Sequence, residues 1–390
     1  MQYTDRVARL ESEGAFVVLA KAKAMERAGK SIIHLQIGEP DFDTPKNITE
    51  AAIKAMRDGQ THYAPSGGIP EAREAGAEYI SKTRGIKVTP EMTIVMPGAK
   101  PFLFCALIAL INEGDEVIVP NPGYPTYRSI VKFVGAKPVP VRLREENDFR
   151  FSIDEFAKLI TPRTKMVILN SPCNPTGGVL TQDDLEQIYA LAKKHDLWIL
   201  SDEIYSRLVY DGKFLSIASI PGAMERTICI DGMSKTYAMT GWRLGFAAMP
   251  EQLAKYFFTL AINNFSSTAT FAQWGMVEAL NGPQDDVEKM VQEFHRRRDV
   301  ITDGLNAIDG IKCHKPEGAF YVFPNITGTG LGSQQFADMM LEEAGVACLS
   351  GTAFGEYGEG YIRFSYANSI ENIKEALSRI KRVLAGVKAR

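Results

Sequence analysis

The sequence is short of the features that would mark a disulfide scaffold, a metal centre or a membrane anchor. Its five cysteines, Cys105, Cys173, Cys229, Cys313 and Cys348, are scattered and form no Cys-x-x-Cys pair. An odd, dispersed set argues against a disulfide framework and a thiolate metal site, and suits a reducing cytoplasm. The five histidines show no His-x-x-x-His spacing, so no metal is expected. The longest apolar run, Phe102 to Ile111, falls far short of the roughly 18–20 residues of a spanning helix and reads as a buried one. Charges interrupt the opening MQYTDRVARLESEG throughout, which is unlike the apolar stretch of a signal peptide. A net charge of −3, with both signs interspersed, leaves no footprint for nucleic acid or an anionic membrane. The basic cluster His295-Arg296-Arg297-Arg298 has no aromatic platform beside it and reads as a solvated helix face.

What is present suits a soluble globular protein of two domains. The 390 residues exceed what one small core organises, and 45% hydrophobic with 23% charged residues is ordinary globular composition. Short apolar runs recur, each ending in a polar or glycine-rich cluster: VIVPNPGY (117–124), MVILNSPCNPTGG (166–178), LWILSDEIY (197–205) and TICIDGMSKTY (227–237). Alternating with helical stretches such as Asp183 to His195, they predict βαβ units and a mostly parallel sheet buried on both faces. His195 ends its helix, where a partly positive side chain suits the dipole, and is given no catalytic role.

From about residue 285 the texture shifts to charged helix, shorter strand-like pieces (318–324, 345–350, 360–367) and a closing amphipathic helix from about Ile370 to Val387. The expected fold is α/β: a large domain whose mostly parallel sheet is sandwiched by helices, plus a smaller α+β domain. The expected division is an N-terminal segment, 1–45, that joins the small domain and the active site; a large domain, 46–284; and a small domain, 285–390.

In open α/β sheets ligands bind beyond the carboxyl ends of the strands. Three such ends carry Asn174 in N-P-T-G, Asp202 in S-D-E-I-Y and Lys235 in M-S-K-T-Y, on strands that can be neighbours. An amine and a carboxylate placed where solvent is scarce need a reason. Pyridoxal 5′-phosphate supplies one: its aldehyde forms an imine with a lysine, and its ring nitrogen needs a carboxylate to stay protonated. At about 3 Å and an effective dielectric near 20, that carboxylate–pyridinium attraction is on the order of 5 kcal/mol.

At this point NSPCNPTGG, SDEIYSRLVYDG, SKTYAMTGWRLGF and RFSYA resemble the class I, fold-type I pyridoxal-phosphate aminotransferases, nearest to the aspartate and aromatic enzymes of prokaryotes. LQIGEPDFDTP (35–45) and THYAPSGGIPEAREA (61–75) extend the resemblance over nearly the whole chain. It implies that Lys235 is the Schiff-base lysine and proton shuttle, and that Asp202 is the pyridinium partner. Tyr205, one helical turn after Asp202, and Asn174 would bond the cofactor's 3′-oxygen, and Tyr124 would stack on its ring. Gly98, Ala99 and Lys100 would offer backbone N–H groups to the phosphate at the start of a helix beginning near Phe102. Arg243 matches the phosphate arginine, Ser234 is a further candidate for the phosphate, and Tyr63 resembles a tyrosine that reaches the phosphate from the other subunit of a homodimer. Where the family often has a serine three residues before the lysine, this chain has Gly232. Arg363 would grip the substrate α-carboxylate, because a guanidinium fork binds it bidentately; a lone R-x-S would otherwise be a surface arginine on an edge strand. Gly38 would let backbone approach the substrate.

The implied reaction moves an amino group from an L-amino acid to a 2-oxo acid such as 2-oxoglutarate by a ping-pong route. Glu13-Gly14-Ala15-Phe16 lacks the small hydroxyl residues of aspartate-preferring relatives. Phe16, with Leu19, suggests an apolar side-chain pocket, so aromatic and aliphatic donors stand beside aspartate. A lyase or synthase on the same scaffold, such as a carbon–sulfur β-lyase, is the alternative, and a non-catalytic regulator domain a remoter one.

Overall fold

A computed structural model describes residues 4–388, with side chains to 386. Seven of its strands form one sheet: β2 (Thr93–Met96), β3 (Glu116–Asn121), β4 (Lys137–Arg142), β5 (Thr164–Asn170), β6 (Trp198–Asp202), β7 (Thr227–Gly232) and β8 (Gly245–Ala248), in the order β2-β8-β7-β6-β5-β3-β4. β6 lies between β5 and β7, parallel to both, so the three strand ends singled out in the sequence are neighbours. β8 is antiparallel to both β7 and β2. The connection from β7 to β8 holds only the short helix Met233–Thr236 and a turn, so the chain reverses without a crossover and Gly245 faces Gly232. Lys235 sits in that reversal.

Burial on both faces follows from strand alternation. On β5, Met166 and Ile168 pack with Phe102, Leu200 and Phe257, while Val167 and Leu169 pack with Leu185, Ile188 and Ile199. The flanking helices start where their sequences direct. Thr181 caps Gln182–Lys194 in a reciprocal box with Asp184, and His195 closes that helix. The apolar helix begins at Lys100, two residues earlier than expected, because Pro101 suits a first turn that needs no N–H.

The C-terminal third carries less strand than its sequence suggested. Only β9 (Tyr321–Val322) forms within 318–324, and 345–350 splits into β10 (Val346–Ala347) and β11 (Leu349–Ser350), which join different sheets. β12 (Ile362–Ser365) lies in the middle of β11-β12-β9, and β1 (Ile33–His34) pairs in parallel with β10. Ile33 and Leu35 share a core with Phe294, Phe320, Phe364 and Ile373, so an early segment packs among late ones. The closing helix runs Ile370–Lys388.

The basic cluster corrects a sequence reading. On helix Asp285–Asn306, Arg297 and Arg298 are buried, not solvated. Arg298 pairs with Asp211 and Asp299 and lies over Tyr210; Arg297 pairs with Asp41 and Glu293 and lies over Phe42. Glu293 and Asp299 of the same helix and two distant carboxylates, Asp41 and Asp211, offset the cost of that burial, and no local pattern announces the distant pair.

Candidate active site

β6 ends on Asp202, opposite Asn170 of β5 and Ile230 of β7. Its carboxylate is buried. Oδ2 accepts from the Tyr127 hydroxyl at 2.6 Å and Oδ1 from the Ile204 N–H at 3.3 Å. Burial pushes this acid up to about 6, with the Tyr127 bond opposing the rise. Across the cavity Lys235 donates from Nζ to the Gly38 carbonyl at 2.5 Å. Burial brings its ammonium down to about 8; Arg363 and Arg243 push the same way, and Glu39 and Asp202 oppose them.

Arg363 is buried on the central strand β12, not exposed on an edge. Its guanidinium donates to Asn174 Oδ1 at 3.2 Å and to the Gln36 carbonyl, and lies 4.5 Å over Tyr321 and 4.9 Å over Phe354. Its Nε has no partner, and among the described residues no carboxylate lies within ion-pair distance. Asn174 is anchored in turn through its N–H to Asn170 Oδ1 at 2.8 Å. Tyr205 bonds Tyr321 hydroxyl to hydroxyl at 2.8 Å; it lies in a turn after β6, not one turn along a helix. Gly38 must be glycine here, since a Cβ would sit 1.9 Å from the Tyr321 hydroxyl oxygen.

Arg243 adopts φ +56°, a backbone conformation rare for arginine and common at functional sites. It donates to the carbonyls of Thr240 and Pro97, and among the described residues no carboxylate pairs with it. Gly98, at φ +97°, accommodates it, as a Cβ there would meet the guanidinium at 2.4 Å. Ala99 and Ser234 line the same space.

These groups surround one cavity of about 560 Å³, which Lys235, Asp202, Tyr205, Asn174, Arg243 and Arg363 all line. Lys100, Tyr124, Gly38 and Phe16 line it too, although Phe16 is 62% exposed. Leu19 is not among its walls. Tyr63 is 92% exposed and stays outside its own chain's cavity.

Four contributors escaped the sequence reading. Glu13 puts a carboxylate into the wall, accepting from Lys100, from Tyr124 at 2.9 Å and from Thr126 at 3.1 Å, so the Lys100 side chain is engaged there. Tyr127 follows Tyr124 by three residues at a helix start, a spacing that puts both on one side. Tyr321 lay in an expected strand with no polar neighbour to mark it. Gln36 acts through its backbone, which a sequence motif does not reveal.

The family profile described as aminotransferase class I and II matches residues 30–380. The chain is 46% identical over 359 residues to the aspartate aminotransferase of Pyrococcus abyssi, covering 91% of this chain and 92% of that one. It is also 46% identical over 359 residues to aromatic-amino-acid aminotransferase 2 of Thermococcus litoralis, with the same coverage. The solved aspartate aminotransferase of Thermus thermophilus with maleate superposes with a TM-score of 0.95 at 40% identity, covering 98% of this chain and all of that one. The chain therefore belongs to the aminotransferase class I and II family. It is a fold-type I aminotransferase, from a family that depends on pyridoxal phosphate.

Proposed function

We propose that the cavity holds pyridoxal 5′-phosphate on Lys235 and moves the amino group of an aspartate, aromatic or aliphatic L-amino acid to a 2-oxo acid such as 2-oxoglutarate, in ping-pong fashion. The observation that carries this is the gathering around one cavity of Lys235, Asp202 and two guanidinium groups, Arg243 and Arg363, that have no carboxylate partner among the described residues. The residues fit the group. Asp202 is a buried carboxylate that no cation pairs with among the described residues, suited to a protonated ring nitrogen, and Arg243 beside Gly98, held only by two carbonyls, suits a phosphate. Ala99, Lys100 and Ser234 complete that end; Tyr124, Asn174 and Tyr205 would hold the ring and its oxygen. Pyridoxal 5′-phosphate supplies an aldehyde that captures amines and a ring that delocalises the electron pair left at a deprotonated Cα.

The chain's own residues do the rest. Arg363 binds the substrate α-carboxylate with a fork already aligned by Asn174 and Gln36. Lys235, its ammonium lowered to about 8 by burial, removes and returns the proton at Cα. Gly38 keeps backbone beside that amine, and Phe16 offers apolar surface to a side chain.

We place the working unit as a cytoplasmic homodimer. The exposed Tyr63, Ile108, Tyr256 and Ile262 support a second copy, with Tyr63 reaching its phosphate. Five unpaired, buried thiols support the compartment. The pairing of β1 with β10 supports residues 1–45 working with 285–390 around the large domain, 46–284.

Borohydride reduction of the loaded protein followed by peptide mapping tests the reading, with the label expected on Lys235; a label elsewhere overturns it. A donor panel with 2-oxoglutarate tests the reaction. Pyruvate and ammonia formed from amino acid alone, with no acceptor present, would assign a lyase instead.

A further inference from the structure

Behind the strand ends, away from the cavity, lies a second group of buried charges that the reaction does not use. Arg84, the last residue of helix Pro70–Arg84, is 5% exposed. Its Nε donates to Glu203 Oε2 at 3.0 Å and one terminal nitrogen to Asp231 Oδ2 at 2.6 Å; the other donates to the Thr83 hydroxyl at 2.6 Å. The rings of Phe214 and Tyr79 lie 5.0 and 5.6 Å from its guanidinium carbon.

Both carboxylates are saturated. Glu203 Oε1 accepts from Ser201 at 2.9 Å and Ser216 at 2.6 Å, and Oε2 also accepts from the Cys229 thiol at 3.2 Å. Asp231 accepts from Ser206 at 2.9 Å and from the Gly232 N–H at 2.7 Å. None of these side chains lines the cavity.

Their positions in the chain give the arrangement its meaning. Glu203 is the neighbour of Asp202, and Ser206 the neighbour of Tyr205. Asp231 precedes Gly232, the cap of the short helix that carries Lys235. Thus the segments bearing the carboxylate and the amine reach back to one guanidinium directly, through Glu203 and Asp231, and the segment bearing the tyrosine reaches it by way of Ser206 and Asp231. We propose that Arg84 is a positioning residue for the aminotransferase reaction, its fork fixing the relative placement of Asp202, Tyr205 and Lys235 through Glu203, Asp231 and Ser206.

Two features favour this over plain packing. Apolar side chains of similar volume would stabilise such a site at least as well as buried ions, so the ions contribute fixed geometry. A lysine would offer both carboxylates a single freely rotating nitrogen, whereas the planar fork gives Glu203 and Asp231 a separate nitrogen each in fixed relative orientation. Two carboxylates against one guanidinium also leave surplus negative charge beside Asp202, and both acids help hold its carboxyl high.

The inference rests on the function proposed above, and its test separates the two. The holoenzyme and its Arg84→Lys, Glu203→Gln and Asp231→Asn variants are compared by kcat, KM, thermal midpoint and pH titration of the visible cofactor band. Arg298→Lys, which disturbs another buried arginine outside the site, is the control for lost stability. Arg84→Lys is expected to lower kcat about tenfold or more with KM little changed, as small misplacements of reacting groups do. Asp231→Asn should move the titration midpoint down by about half a pH unit, because a negative charge favouring the protonated form is gone. Arg298→Lys should lower the thermal midpoint without moving the titration. Should Arg84→Lys fail to fold, the two near-isosteric variants carry the test. A titration and kcat unchanged from wild type in the folded variants overturn the positioning role. A wild-type protein that acquires no visible band on incubation with pyridoxal 5′-phosphate sinks the proposed function itself, and the inference with it.

Discussion

On the cavity side of β5, β6 and β7, Asp202, Lys235, Arg243 and Arg363 each lack an oppositely charged partner among the described residues. On the other side, Arg84, Glu203 and Asp231 are paired and hydrogen-bonded throughout. Both groups sit at the same strand ends, and several members of each are buried. The difference shows how one scaffold divides its charge. The saturated group resists change and defines geometry; the unsaturated group holds its charges at a cost in stability that a ligand of matching charge offsets. Asp202 at about 6 and Lys235 at about 8 record that cost.

The sharpest way to break this contrast is Lys235→Ala. It should lower transamination by about three orders of magnitude or more and abolish borohydride labelling, and near-normal turnover would reject the assignment. Asp202→Asn should keep the cofactor bound yet slow loss of the Cα proton by about two orders of magnitude, read by stopped-flow absorbance. The same variant tests the stability side. Asp202 has a folded pKa of about 6 against an ordinary value of 3.8, so ionisation disfavours the fold increasingly between those pH values and by its full amount above them. Without cofactor, Asp202→Asn should therefore be more stable than wild type at pH 7.5, by on the order of 3 kcal/mol, with the gain vanishing near pH 4. A variant less stable at pH 7.5 would place Asp202 with the saturated group.

Arg363→Lys comes next, with kcat/KM for amino donors expected to fall about a hundredfold, since a single ammonium cannot replace the fork. A smaller effect is read from the cofactor-free protein. Its rate of capturing pyridoxal 5′-phosphate should rise with pH through a midpoint of about 8, because the neutral amine is the nucleophile. A rate still climbing steeply at pH 10 would mean an unperturbed lysine. Smallest of all, His195→Gln at an exposed helix end should change stability by less than about 0.5 kcal/mol and leave turnover unaltered.

The contrast also marks where sequence reading succeeds. Asn174, Asp202 and Lys235 were legible because each ends an apolar run, and a polar group there announces itself. Arg363 was legible through the motif around it, although its burial on a central strand was not. Tyr127, Glu13 and the Gln36 carbonyl were missed because their roles arise only when distant segments meet. Arg297 and Arg298 were missed for a related reason: a run of charge looks solvated until Asp41 and Asp211 reach it from elsewhere in the chain, and the partners of Arg84, Glu203 and Asp231, are likewise distant in sequence. The antiparallel strand β8 is only four residues, GFAA, too short a run to signal a strand or its direction.

The short stretch from Gln36 to Gly38 lends one carbonyl to Arg363 and another to Lys235. On the ribosome those carbonyls emerge long before either cation exists. A nascent or prematurely terminated chain ending before β12 therefore carries Lys235 without Arg363, and the cavity that both line closes only when a late portion of the chain folds back onto an early one.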